Sequence, residues 1–404
     1  MEAVQPLGNQ SATIRRSSIG LRERTSQALA SVTFFGTLAI VTLTAIPYAT
    51  VQPWWIALFE CGVFALTAVW IVQSAVAEKW KLYNGLLLAP CLGLLLLAVV
   101  QTLPVWGAQR ETISSDPYQT KLWILHFGAL LLTAAILLRH TSTTRHLQIL
   151  IFLVVAVGVL SAVFGLLRQI IGFNLPIQGF LSPSAQGTYG QFINRNHFAM
   201  LMEMSLGLAA GMIVVGGVRR AYIAPLLIAI AILWVALVMT NSRGGILAML
   251  GQSIFLTLFF NLARNPLASN QKQSVIGRVL VTSRTIRVLL AAALVIIVGF
   301  GVVWVGGDSL MHRLETLPRE WSADTTARMN SSRVEIWQAT LQMIQHHPLT
   351  GIGFGGFSVS LPQYHDASGR WIPQEAHNDY LEIVASGGIV ALSMLFMFVV
   401  ILVR

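Results

Sequence analysis

Long apolar runs separated by short polar stretches make up most of this chain. A run of about 20 apolar residues suits a helix that crosses a bilayer, because lipid offers no hydrogen-bond partner to open backbone. The pattern predicts spans at 29–47, 54–76, 85–104, 121–139, 147–171, 196–216, 221–240, 244–262, 287–306 and 380–402. The expected fold class is all-α: a polytopic transmembrane helical bundle of about ten spans, with one long outer loop containing short helices. The domain division follows as a tail over 1–28, spans one to nine over 29–306, the loop over 307–379, and the tenth span over 380–404. There is no repeat at a solenoid period and no low-complexity tract.

Composition agrees with a bilayer as solvent. The 404 residues are 55% hydrophobic and only 10% charged, with a mean hydropathy of +0.69. That leaves too few polar residues to clothe a soluble globule. The net charge of +10 is mostly a topology signal rather than a mark of nucleic-acid binding. Lys and Arg fall in alternate loops: Arg15, Arg16, Arg22 and Arg24; Lys79 and Lys81; Arg139 and Arg145; Arg219 and Arg220; and Arg264, Lys272, Arg278, Arg284 and Arg287. Short cytoplasmic loops are enriched in these residues, so 307–379 is expected outside, in the periplasm of a cell with two membranes. The first 28 residues lack the pattern of a cleaved signal peptide, so the first span reads as a retained helix. Cys61 and Cys91 sit in apolar spans and read as small hydrophobes. Nine histidines are present without any spacing that supports a zinc site, so no metal or cofactor is expected.

Four polar clusters stand where helices are expected to begin at the outer face. Asn194, Arg195, Asn196 and His197 open the sixth span; Asn241, Ser242, Arg243, Gly244 and Gly245 the eighth; and Ala376, His377, Asn378 and Asp379 the tenth. In the long loop, Ser332-Arg333-Val334-Glu335 has the form of a capping box, followed by Val334, Trp337, Leu341 and Ile344 at helical spacing. A helix start exposes unpaired N–H groups and partial positive charge, so an Arg beside it makes an anion site. At a membrane surface the natural guest is the phosphate of a lipid or of a lipid-linked sugar. Plain readings stand beside this one. Asn, Ser and Asp are common helix caps, and Arg195, or Arg168 late in the fifth span, can snorkel to the interface. Arg243 lies in a very short turn close to hydrocarbon, where a charge is costly without a partner. The run Gly351-Ile352-Gly353-Phe354-Gly355-Gly356-Phe357 has the glycines of a dinucleotide fingerprint but no preceding strand, and reads as flexible backbone near a lipid or glycan site.

Taken together, Asn241-Ser242-Arg243-Gly244-Gly245, Arg333 with Trp337, Pro348-Leu349-Thr350-Gly351-Ile352-Gly353 and His377-Asn378-Asp379-Tyr380-Leu381-Glu382 resemble the O-antigen ligase and polymerase superfamily. The motifs cover residues of roughly 190–390, and the N-terminal third is similar only as a generic set of spans. The resemblance implies an inverting, metal-independent glycosyltransferase at the outer face of the bacterial inner membrane. Its donor would be a glycan on undecaprenyl pyrophosphate. The acceptor would be a lipid A core sugar in the ligase branch and another lipid-linked glycan in the O-antigen or exopolysaccharide polymerase branch. A protein acceptor would make it a protein O-oligosaccharyltransferase. The lipid bilayer is the remaining partner, and nucleic acid is not expected.

Carried over by motif, His377 would deprotonate the acceptor hydroxyl, a task that suits neutral imidazole. Arg243 and Arg333 would clamp the pyrophosphate, since the planar guanidinium can hold two phosphate oxygens. Asn378 would cap the last helix and orient His377. Tyr189, Asn194, Arg195, Asn196 and Ser242 would contact donor or acceptor. Helices six, eight and ten would gather Asn196, Arg243 and His377 at one end of the bundle. Family members often continue beyond the helix that follows the histidine motif, whereas this chain stops at Arg404, which points to a short member or a fragment.

Two other classes have weaker support. A hydrolase would need two paired carboxylates among Glu315, Glu320, Glu335, Asp366, Glu375 and Asp379. A transporter or flippase would need broken helices and ionisable groups deep in the spans, where this chain is mostly apolar.

Overall fold

The computed structural model describes residues 7–46, 51–80, 84–104, 112–171, 189–263, 333–365 and 373–404. Among these residues the regular structure is helical, and the only β pairing is two isolated bridges, Pro104 with Thr112 and Tyr189 with Phe192. The α-helices are α1 (Leu7–Thr44), α2 (Pro53–Ala77), α3 (Ala89–Gln101), α4 (Pro117–His140), α5 (Thr144–Ile171), α6 (Arg195–Val214), α7 (Ile223–Met239), α8 (Arg243–Ala263), α9 (Arg333–His346), α10 (Phe357–Ser360) and α11 (Asp379–Val403). Seven described stretches are long and apolar enough to cross a membrane: Gly20–Thr44, Pro53–Ala77, Pro117–His140, Thr144–Ile171, Arg195–Val214, Arg220–Met239 and Asp379–Val403. Two shorter apolar helices, Gly85–Gln101 and Arg243–Leu256, fall where the third and eighth spans are expected. The expected ninth span at 287–306, the basic loop beyond Ala263, and 307–332 of the outer loop lie outside the described residues.

The N-terminal stretch is helical from Leu7, and α1 runs for 38 residues into the first span, with no proline between Pro6 and Pro47 to stop it. Elsewhere the starts follow local chemistry. Pro53 and Pro117 occupy first helical positions, where a missing N–H costs nothing. Asp116 caps α4 by accepting from Tyr118 N and Gln119 N at 3.1 and 3.0 Å. Large apolar side chains such as Leu160, Ile170 and Phe396 stand about 70% exposed on these helices, as lipid-facing positions do.

The chain packs as two compact units. One spans Met1–Ile40, Ile56–His146 and Thr316–Arg404; the other spans Val41–Trp55 and Leu147–Glu315. In the first, Arg22 pairs with Glu78 at 2.9 Å and Arg139 donates to the Lys79 carbonyl at 3.4 Å. These contacts bring Arg22, Lys79 and Arg139, three of the residues assigned to the cytoplasmic side, near one another. Not every span interior is apolar. His126 on α4 faces Glu60 on α2 at 3.3 Å, and Glu203 lies within α6.

The helix α11 is broken at Gly388 (φ 62°, ψ −158°). An unbroken helix would bond the Ile389 and Val390 N–H groups to the Ala385 and Ser386 carbonyls. Instead the segment Pro348–Gly353 takes all four. Ile352 N and Gly353 N donate to Ala385 O and Ser386 O at 2.9 and 3.0 Å, while Ile389 N and Val390 N donate to Pro348 O and Leu349 O at 2.9 and 3.4 Å. The glycine run is therefore pinned rather than flexible, with Gly351 to Phe354 buried. Its glycines serve close approach: a Cβ on Gly351 would overlap Ser386 backbone, and one on Gly388 would overlap the Leu349 carbonyl. Gln101, fully buried, closes the joint. Its Nε2 donates to Thr350 O and Ser386 O at 2.6 and 2.9 Å, and its Oε1 accepts from Phe354 N at 3.3 Å. Gln101→Leu keeps the bulk but strands these groups, and is expected to lower stability by about 3 kcal/mol. The check is the unfolding midpoint of the protein purified in detergent, which should fall; an unchanged midpoint would remove Gln101 from this role.

Candidate functional site

In the second unit, the starts of α6 and α8 are stitched together. Asn194 caps α6, its Oδ1 accepting from Asn196 N at 2.9 Å. Ser242 Oγ donates to Asn196 Oδ1 at 2.9 Å and accepts from Gly245 N at 3.3 Å, which caps α8. Thr240 Oγ1 accepts from Ser242 N at 3.1 Å and steadies the turn. Arg195 and Arg243 are the first residues of the two helices and are half-buried. Ahead of α6, Tyr189 and Phe192 exchange backbone hydrogen bonds of 3.0 and 2.9 Å around Gly190, whose carbonyl accepts from Arg168. Tyr189 is only 6% exposed, with its ring 4.7 Å from that of Phe198. Burial pushes its hydroxyl up to about 12, and nothing among the described residues accepts from it.

In the first unit, α9 supports the histidine turn. Ile336, Ala339 and Met343 of α9 pack with Ile352, Phe357, Leu361 and Ala376. Arg333 opens α9, one helical turn before Trp337. The Arg333 side chain and Ser332 of the expected capping box lie outside the described residues. Trp337 Nε1 donates to Ala376 O at 2.9 Å, and Ala376 N donates to Glu382 Oε2 at 2.9 Å. On the far side of His377, Asn378 Oδ1 accepts from Tyr380 N and Leu381 N, each at 3.2 Å, and caps α11.

Between these ties His377 is exposed and left-handed, with φ 52°. Asn241, which stands in the same place before the capping Ser242, has φ 53°. Such angles are uncommon outside glycine, though Asn and His adopt them more readily than most residues. They persist where the surroundings over-determine the backbone, often at functional sites.

The structure thus brings together Asn194, Asn196, Ser242 and the start of α8 in one unit. In the other it joins the His377 turn, Asn378 and the helix that Arg333 opens. Each arrangement carries a motif quoted for the superfamily. Residues 226–396 match the O-antigen ligase family. The match bears out the resemblance to the O-antigen ligase and polymerase superfamily, here in a chain with several helices fit to span a membrane. It takes in Ser242, Arg243, Arg333, His377 and Asn378, and leaves Tyr189, Asn194, Arg195 and Asn196 ahead of it. No curated protein matches the chain.

Glu382 had no role in the sequence reading, although it belongs to the histidine motif. The available signal was its place in the first turn of α11, from which an acidic side chain can reach back to a backbone N–H ahead of the helix start. Trp337 was read as part of an apolar face, and its indole N–H is what ties that face to the turn.

Asn378→Ala is expected to cost about 1 kcal/mol through loss of the cap, while Asn378→Asp retains most of it; thermal unfolding in detergent compares them. Tyr189 offers a pH test. Its hydroxyl loses its proton near 10 when unfolded and near 12 when folded. Its contribution to stability is therefore complete below pH 10 and lost as pH rises toward 12. Across that window the wild type should lose stability relative to Tyr189→Phe, as read by denaturation at stepped pH.

Proposed function

We propose that the chain transfers a glycan from undecaprenyl pyrophosphate to a hydroxyl of a lipid A core sugar or similar acceptor, with inversion and without a metal, at the periplasmic face of the inner membrane. The observation that carries this reading is the His377 turn. An exposed imidazole on a left-handed residue, whose backbone is held by Trp337 and Glu382 through Ala376 on one side and by the Asn378 cap on the other, is open to a substrate hydroxyl as a proton acceptor. The ligase-family match over 226–396 supports the same class of chemistry.

In this reaction a nitrogen of His377 takes the proton of the acceptor hydroxyl while its oxygen attacks the anomeric carbon. The bond from that carbon to the phosphate oxygen breaks on the opposite face, and the pyrophosphate leaves with the electron pair. Guanidinium groups offset its charge, so a dedicated general acid is not required. Arg333 opens the helix that supports the His377 turn, and Arg243 opens α8 in the second unit. The assignment of both to the pyrophosphate rests on their motifs. Asn194, Arg195, Asn196 and Ser242 would meet the glycan, with Tyr189 buttressing the turn ahead of α6. The Lys and Arg residues of the alternate loops, three of which lie near one another in the first unit, favour placing the loop that carries His377 outside.

His377→Ala is expected to lower transfer by roughly 10²–10⁴-fold while the protein still inserts and unfolds normally, measured with lipid-linked glycan and acceptor in detergent. Transfer at the wild-type rate would overturn the mechanism. Arg243→Lys and Arg333→Lys should each slow transfer about tenfold or more, because a point charge does not replace a two-pronged donor. In a deletion strain, unattached long-chain polymer would mark a ligase and single repeat units on the core a polymerase.

A further inference from the structure

Two ionisable side chains that the transfer reaction does not use lie deep in the spans of the first unit. Glu60 stands seven residues past the start of α2 and His126 nine past the start of α4, about 10 and 13 Å along those helices. That depth is well inside a hydrocarbon layer of about 30 Å. His126 Nδ1 is buried and lies 3.3 Å from Glu60 Oε1, yet the two side chains remain 42% and 17% exposed. The inner side of the seam is closed by Phe59, Val63 and Ala129, with Ile40 and Leu132 against them. The open edge of the imidazole, which carries Nε2, therefore faces out of the helix pair. Among the described residues nothing bonds to that edge.

An imidazole edge open to lipid in mid-span is costly, because hydrocarbon offers it no hydrogen-bond partner. Its surroundings indicate what covers it. On α2, Ala57, Cys61, Ala65 and Ala68 are exposed at helical spacing, and small side chains in such a run let another helix approach closely. Imidazole and carboxylate stand side by side at the edge of this surface, so the face is complementary to itself. A two-fold axis beside the pair sets the open imidazole edge of one copy against the Glu60 carboxylate of a second, and the reverse contact follows by symmetry. Any other partner would have to bring both kinds of group at the matching depth. We propose that this face of α2 and α4 joins two copies of the chain within the membrane, with His126 of each copy meeting Glu60 of the other.

Cys61 supplies a probe, since Cys91 is the chain's other cysteine and Cys91→Ala leaves Cys61 alone. In membranes holding that variant, a short bismaleimide should link Cys61 to Cys61 and double the mass of the chain. The full wild-type chain in detergent should also sediment as a dimer. His126→Leu together with Glu60→Leu replaces the pair with side chains that lipid accepts. The unfolding midpoint should then hold, while dimer dissociation rises about tenfold or more and the crosslink fades. Ala65→Trp, a change on the exposed face of α2, should weaken the dimer to a similar degree without touching the pair. A wild type that sediments as a monomer and gives no crosslink overturns the proposal, as does a dimer indifferent to both changes. A Cys61 adduct of any other mass identifies a different occupant and overturns it too.

Discussion

Inside a membrane every peptide group needs a hydrogen-bond partner, and α11 meets that demand across its break with groups borrowed from another segment. Two helical bonds are opened at Gly388, and the four groups they release are all taken by Pro348–Gly353. Much of the first unit is organised by this exchange. It anchors the glycine run, which brings Phe354 against Trp123 of α4 with ring centroids 4.1 Å apart. It also places a buried amide, Gln101, at the meeting point of α3, the loop and α11. Downstream of the same segment, Phe357 and Leu361 pack against α9. The helix that carries Trp337, and through it the Ala376 tie, is thus held by the loop that completes α11.

The two motif turns solve one local problem in the same way. In each, a residue with φ near 50° precedes a short polar side chain that caps the next helix. The left-handed residue reverses the chain sharply, so the capping residue can face the helix while its predecessor faces away. Asn241 and His377 are residue types that tolerate this backbone, and both turns fall within the ligase-family region. The difference lies in support. The His377 turn is tied by side chains from α9 and α11, and the Asn241 turn by Thr240 and by Asn196 of α6.

The spans were legible because twenty apolar residues in a row have few other uses, and the helices follow them closely wherever the chain is described. The break in α11 was not legible. Gly387 and Gly388 sit in an apolar run that reads as one uninterrupted helix, and the segment that fills the gap lies more than thirty residues earlier. For the same reason the glycine run read as mobile: its partners are backbone groups, which leave no mark in a side-chain pattern. Motif chemistry pointed to His377, Arg243 and Arg333 as candidates, while Trp337 and Glu382, which tie the His377 turn, and Gln101, which closes the joint in α11, are single polar groups whose value depends on what they touch.

The broken helix also bears on how the protein is made. Most spanning helices can enter lipid one at a time, since each satisfies its own backbone, and pack together afterwards. As a separate segment α11 would enter with four peptide groups unmatched at Gly388, which lipid does not tolerate. Its arrival in the membrane and the docking of Pro348–Gly353 are therefore coupled events. The order of synthesis helps, because the docking segment leaves the ribosome before the helix it completes and is at hand when α11 emerges.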